Sequence, residues 1–173
     1  MSRVAALLDG LPDHARDLRL NVASLLGEGG ALEAHRRYGV ALAAACASPH
    51  AGLRDALAAD AADAGAAPGV LEDARTAAAL MAMNNVYYRF RHQIGKESYA
   101  GKPARLRMTR LGAARSEKVD LELYSLAVSA INGCEFCVRA HEEAVLKGGL
   151  GEDHVHDAVR LAAAVHAASR ALA

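Results

Sequence analysis

Apolar positions run in long segments punctuated by Pro and Gly, and no stretch reads as a β-hairpin. Pro12 opens a first helix to about Leu26, a place where its missing N–H is no loss, and Gly27, Gly29 and Gly30 end it. A second helix runs from about Leu32 to Ala47, and Pro49 opens a third to about Ala64. Gly65 to Gly69, around Pro68, reads as a linker. The longest segment, Val70 to about Ile94, is apolar through Leu80, Met81 and Met83. It then changes to Asn84-Asn85-Val86-Tyr87-Tyr88-Arg89-Phe90-Arg91. A polar break from Gly95 to Gly101 precedes a short helix over Pro103 to Leu111, stopped near Gly112. Ser116 suits the N-cap of a helix reaching Ile131. Asn132-Gly133 breaks the chain; the next helix starts there and ends at Gly148-Gly149, and the last spans about Glu152 to Leu172. The pattern predicts an all-α fold of about seven or eight helices in one domain, residues 1–173.

Composition sharpens this picture. Apolar residues make up 53% of the 173, yet aromatics are only 4%, Trp is absent and 41 residues are Ala. Ala is the best helix former and a poor strand former. It also buries little area, so the helices must pack closely, and a subunit interface is expected to add burial. Charges cancel, 20 Lys+Arg against 20 Asp+Glu. With no basic stretch, this argues against a nucleic acid or an anionic membrane as partner. No apolar run approaches the ~20 residues that cross a bilayer. The first apolar patch, Val4 to Leu8, stops at Asp9, so no signal peptide is read. These features predict a soluble, cytoplasmic protein.

The chemistry lies with the cysteines. Cys46 stands alone in an Ala-rich stretch and reads as inert packing. Cys134-Glu135-Phe136-Cys137 is either a redox pair or half of a metal site. If Cys134 starts a helix, Cys137 lies one turn on and His141 a further turn on the same face. Cys134 and His141 are then roughly 10 Å apart along the axis, too far for one zinc ion to take both. No second Cys pair exists, and the spacing of His154 and His156 is not diagnostic of a metal, so none is expected. A haem-attachment motif needs His directly after the second Cys, where Val138 stands. Thioredoxin-like folds need strands that this chain lacks.

The row of Cys134, Cys137 and His141 suits a thiol relay. Helix amides and the helix dipole favour negative charge at first-turn sulfurs, which lowers a thiol pKa. His141 can take the Cys137 proton and can deliver one to the leaving oxygen when a peroxide O–O bond breaks. Upstream, Glu122 is the only acid in the apolar run Leu121 to Ile131, and it shares a helical stripe with Ser125 and Ser129. That stripe is either solvent-facing or holds a buried carboxylate that orients His141, and spacing alone leaves both open. The remaining histidines, His14, His35, His50, His92, His154, His156 and His166, read as exposed or structurally bonded. Tyr87-Tyr88-Arg89 reads as core or subunit packing, with a docking surface as the alternative.

Leu121-Glu122-Leu123-Tyr124-Ser125, then Ser129-Ala130-Ile131-Asn132-Gly133-Cys134-Glu135-Phe136-Cys137 and Ala140-His141-Glu142, resemble the alkylhydroperoxidase D (AhpD) family. That family belongs to the carboxymuconolactone-decarboxylase-like group of all-α proteins. Met81 to Arg89, Leu106-Arg107-Met108 and Leu18-Arg19-Leu20-Asn21 are similar to other parts of it. The resemblance implies a lipoyl-dependent thiol peroxidase in antioxidant defence that cycles between a dithiol and an intramolecular disulfide. It implies dihydrolipoamide as an external reductant with no bound cofactor. The electrons come from a lipoyl-bearing acyltransferase subunit of a 2-oxoacid dehydrogenase complex. The alternative it carries is an electron-transfer adaptor to the peroxiredoxin AhpC, and it implies a homotrimer. By position, Cys137 corresponds to the peroxide-attacking thiol, Cys134 to the proton donor and resolving thiol, and His141 and Glu122 to the proton relay. Decarboxylation, the chemistry named in the wider group, gives no reason for a Cys pair. One departure stands out: some members carry His between the two Cys, where this chain has Phe136, which cannot shuttle a proton.

Overall fold

A computed structural model describes residues 2–173. Among them run nine α-helices: α1 (Arg3–Leu8), α2 (Arg16–Leu26), α3 (Ala34–Cys46), α4 (Ala51–Asp63), α5 (Pro68–Ile94), α6 (Glu97–Ala100), α7 (Lys118–Ile131), α8 (Glu135–Lys147) and α9 (Glu152–Ala171). Two 3-10 turns, Asp13–Ala15 and Thr109–Gly112, complete the regular structure, and no strand occurs among the described residues. The fold is all-α as predicted, with one helix more than the upper count.

The core is organised around α7, which packs against α3, α5, α8 and α9. From Asp120 to Ser129 every α7 residue is buried except Glu122. A helix covered on nearly all sides reads apolar all round, as this one does. Small residues let its neighbours come close. A Cβ added to Gly39 on α3 would lie 2.2 Å from the ring of Tyr124 on α7, so glycine is what lets the two helices meet at that height. An ionic cluster ties α3 to the start of α7. Buried Arg36 donates to Asp120 (2.6 Å), Glu33 (2.8 Å) and Glu117 (2.9 Å).

Several segments depart locally from the sequence pattern. The first apolar patch forms α1, although it is too short for periodicity to reveal. Asp60 of α4 fixes it by accepting from the backbone N–H groups of Arg3 and Val4, both at 2.9 Å. Pro103 to Leu111 is not helical: Arg105 takes a left-handed conformation (φ +51°), and only the 3-10 turn at its end is regular. The polar break from Gly95 to Gly101 instead holds the single turn of α6. Ser116 does not cap α7; Glu117 holds that position without a side-chain cap bond. The Ser116 hydroxyl is engaged elsewhere, donating to Asp73 at 2.8 Å. Asp73, buried on α5, also accepts from the backbone N–H groups of Arg115 and Ser116 (2.7 Å each), and so pins the irregular segment to α5. Pro68, read as linker, lies in the first turn of α5, and Gly95 closes that helix at φ +60°.

Gly39→Ala gains about 1 kcal/mol of helix propensity, but a Cβ 2.2 Å from a buried ring overpacks it at the upper end of the usual cost, about 2–3 kcal/mol. The expected result is a Tm lower by roughly 2–8 °C in a thermal melt followed by circular dichroism. An unchanged or raised Tm contradicts the close approach of α3 and α7.

Candidate active site: a buried thiol pair and a carboxylate-bound histidine

The site is built where α7 turns into α8. Gly133 sits in the left-handed region (φ +66°), its N–H bonded to the Ala130 carbonyl (3.1 Å), and Cys134 N–H bonds the Ser129 carbonyl (3.1 Å). This is the hydrogen-bond pattern of a Schellman close, which a residue tolerant of positive φ makes possible. Helix α5 clamps the turn. Asn85 donates to Ser129 Oγ (3.0 Å) and accepts from Asn132 Nδ2 (2.9 Å), while Arg89 donates to the Asn132 carbonyl.

The turn delivers Cys134 as the N-cap of α8 and Cys137 into its first turn. Both are buried free thiols, and their sulfur atoms share a hydrogen bond at 2.9 Å. One turn further along α8, His141 places Nδ1 2.7 Å from Glu122 Oε2 and Nε2 3.3 Å from Met81 Sδ. The two readings of the Glu122 stripe are thereby resolved geometrically. Ser125 and Ser129 are fully buried, and the carboxylate faces the imidazole rather than open water. Glu122 keeps one outlet: it lines a groove of about 300 Å³ with Lys118, Val119, Ala144, Lys147 and Gly148. The buried Ser125 hydroxyl has no hydrogen-bond partner.

Phe136 projects outward, 54% exposed, and stacks on Tyr88 with ring centroids 5.3 Å apart. Tyr87 meets Tyr88 edge-on at 5.3 Å, and the Arg91 guanidinium lies over both tyrosine rings. The aromatic segment of α5 thus covers the outside of the thiol turn.

One expectation is reversed. The helix N-terminus was expected to lower the thiol pKa, but burial pushes the Cys137 thiol up, and the hydrogen bond shared with Cys134 adds to it. Asn85 pulls the other way without prevailing. The physical reason is desolvation: a first-turn dipole acts on a sulfur largely withdrawn from water, and the charged form loses most of its hydration. Burial therefore favours the neutral form of the Cys137 thiol.

Three of the other histidines are engaged in local structure. His50 Nδ1 accepts from Leu53 N (3.1 Å), His166 Nδ1 meets Ser48 Oγ (2.9 Å), and His154 Nδ1 accepts from Gly151 N (3.2 Å). Among the described residues no group of three or more His, Cys, Asp or Glu is arranged to hold a metal. No helix among them is long and apolar enough to cross a membrane. Cys46 is half-buried on α3, its thiol also pushed up by burial. Met81, Asn85 and Asn132 had no assigned role in the sequence reading. The available signal was the polar pair Asn84-Asn85 interrupting an apolar helix, since both are buried.

Comparison with known proteins places these features in context. Residues 100–173 match the model of the carboxymuconolactone decarboxylase family. Over 172 residues the chain is 56% identical to an alkyl hydroperoxide reductase AhpD of Anaeromyxobacter sp. (strain Fw109-5), covering 99% of this chain and 92% of that protein. It is 47% identical over 167 residues to the AhpD of Methylobacterium sp. (strain 4-46), covering 96% and 94%. It is 45% identical over 169 residues to that of Gluconacetobacter diazotrophicus, covering 98% and 92%.

The raised thiol has a direct readout. Alkylation of Cys137 by iodoacetamide, followed by mass spectrometry across pH 6–10, is expected to reach half its maximal rate above the ~8.5 of free cysteine. A midpoint below that value restores the dipole-activated thiol.

Proposed function

The chain belongs to the alkyl hydroperoxide reductase AhpD family, and on that premise we propose that it reduces organic hydroperoxides through a dithiol–disulfide cycle of Cys134 and Cys137. The observation that carries the reading is the buried sulfur pair at 2.9 Å, one helical turn from an imidazole held by a carboxylate.

In the first step Cys137 Sγ attacks the terminal peroxide oxygen. The S–O bond forms, the O–O bond breaks, and the leaving alkoxide takes a proton to become the alcohol. His141, oriented by Glu122, supplies that proton and receives the one shed by the sulfur. Because burial favours the neutral Cys137 thiol, its proton moves in the act of attack, and the relay carries it. In the second step Cys134 sulfur displaces hydroxide from the sulfenic acid, and water leaves as the disulfide closes. The N-cap and first-turn placement keeps the resolving sulfur in reach without moving a helix. In the third step a dihydrolipoamide dithiol reduces the disulfide and departs as lipoamide. The lipoyl group arrives on an acyltransferase subunit of a 2-oxoacid dehydrogenase complex, and the peroxiredoxin AhpC is a further electron acceptor. This reading places the protein in cytoplasmic antioxidant defence as a homotrimer. Val86 and Phe90, one turn apart on α5 and 60% and 42% exposed, support a covered face there.

Steady-state turnover of cumene hydroperoxide with dihydrolipoamide tests the scheme. Cys137→Ser is expected to abolish turnover, and His141→Gln to slow it by roughly 10² to 10⁴. Unchanged turnover in Cys137→Ser overturns the peroxidase reading. Turnover that appears only when a peroxiredoxin is added selects the adaptor instead.

A further inference from the structure

Met81 lies in the middle of α5, fully buried, with its thioether directed into the site. Its sulfur stands 3.3 Å from His141 Nε2 and 3.9 Å from Asn85 Nδ2. A thioether has lone pairs to offer and no proton to give. Both of its polar neighbours are nitrogens, and the amide nitrogen of Asn85 is a donor. If Nε2 carried a lone pair, two lone pairs would face each other at 3.3 Å beside a fully buried sulfur. An N–H at the same place makes a hydrogen bond to sulfur instead. On the far side of the ring, Nδ1 and Glu122 Oε2 at 2.7 Å have room for one proton between them.

From this arrangement we propose that Met81 is a positioning residue that keeps a proton on His141 Nε2, so that the resting site is loaded as an acid. The proposal rests on the peroxidase reading for its purpose. With Nε2 loaded, the ring's first act is to protonate the leaving alkoxide oxygen. The proton shed by the Cys137 sulfur as the S–O bond forms then refills it. Two protons thus lie along one line, one shared by Glu122 and Nδ1 and one held on Nε2 against Met81. Asn85 reinforces the line, since its amide is anchored on Ser129 while it also approaches the Met81 sulfur. A neutral thiol at Cys137 fits this order, because no free ring nitrogen waits to deprotonate it.

The alternative role for a buried methionine is to fill core volume, and the test separates the two. Nitrogen-15 NMR of histidine-labelled protein at pH 7, with the His141 signals assigned by their loss in His141→Gln, reads the protonation of each ring nitrogen. In the native chain Nε2 is expected to give the signal of a protonated nitrogen. Met81→Leu keeps the volume and removes the acceptor. It is expected to shift Nε2 towards the unprotonated form at the same pH, while helicity by circular dichroism stays unchanged. An unprotonated Nε2 in the native chain overturns the proposal without needing the variant. An Nε2 signal identical in the native and Met81→Leu proteins also overturns it, leaving Met81 as core filler. Neither readout involves turnover, so loss of the peroxidase reading and loss of this proposal are separate results.

Discussion

The 2.7 Å contact between His141 Nδ1 and Glu122 Oε2 joins α8 to α7 at the one position between Asp120 and Ser129 that its neighbours leave partly open. A carboxylate cannot sit inside an apolar helix bundle without a partner, because removing it from water is costly unless hydrogen bonds replace the lost hydration. The imidazole meets that need, and in doing so fixes the rotation of α8 about its own axis. Once that rotation is set, Cys137, one turn back along α8, has to point towards α5. Cys134 has to cap the helix beside it. Geometry and chemistry at this site therefore have one origin.

The same logic extends outward through α5. Asn85, Arg89 and the Asn132 amide join the central helix to the α7–α8 turn. Asp73, near the other end of α5, holds the irregular segment that leads into α7. Helix α7 is thus gripped at both ends by polar contacts from a single long neighbour. Its middle is held by close apolar packing, with Gly39 admitting Tyr124. Rigidity of this kind keeps the two sulfurs at their 2.9 Å separation.

Much of this was legible in the residues, and the gaps have physical causes. The Cys134–Cys137–His141 row follows from helical periodicity alone, and the helix that carries it begins and ends where Gly and Asn predict. The position of Glu122 was not decidable, because a stripe of Glu and Ser looks the same whether it meets water or another helix. Only the tertiary turn at Gly133 chooses between the two. Helix α1 escaped notice because six residues carry too little periodicity, and its stability comes from Asp60, more than fifty positions away. The segment Pro103 to Leu111 looked helical because its composition permits a helix. Its actual conformation is set by Arg105 and by tethering near its end to a buried aspartate. The Cys137 shift has a related origin: the helix dipole is a local property that sequence reveals, while the desolvation that raises the thiol belongs to the assembled fold.

The Phe136–Tyr88 stack has a consequence for observing the protein as well as for building it. No Trp is present, so near-ultraviolet emission comes from the five tyrosines. One of them lies against a ring whose backbone is flanked by Glu135 on one side and Cys137 on the other. A disulfide quenches tyrosine emission at short range, whereas a dithiol does so only weakly. On the proposed dithiol–disulfide cycle, Tyr88 becomes an optical gauge of the sulfur pair that needs no added label.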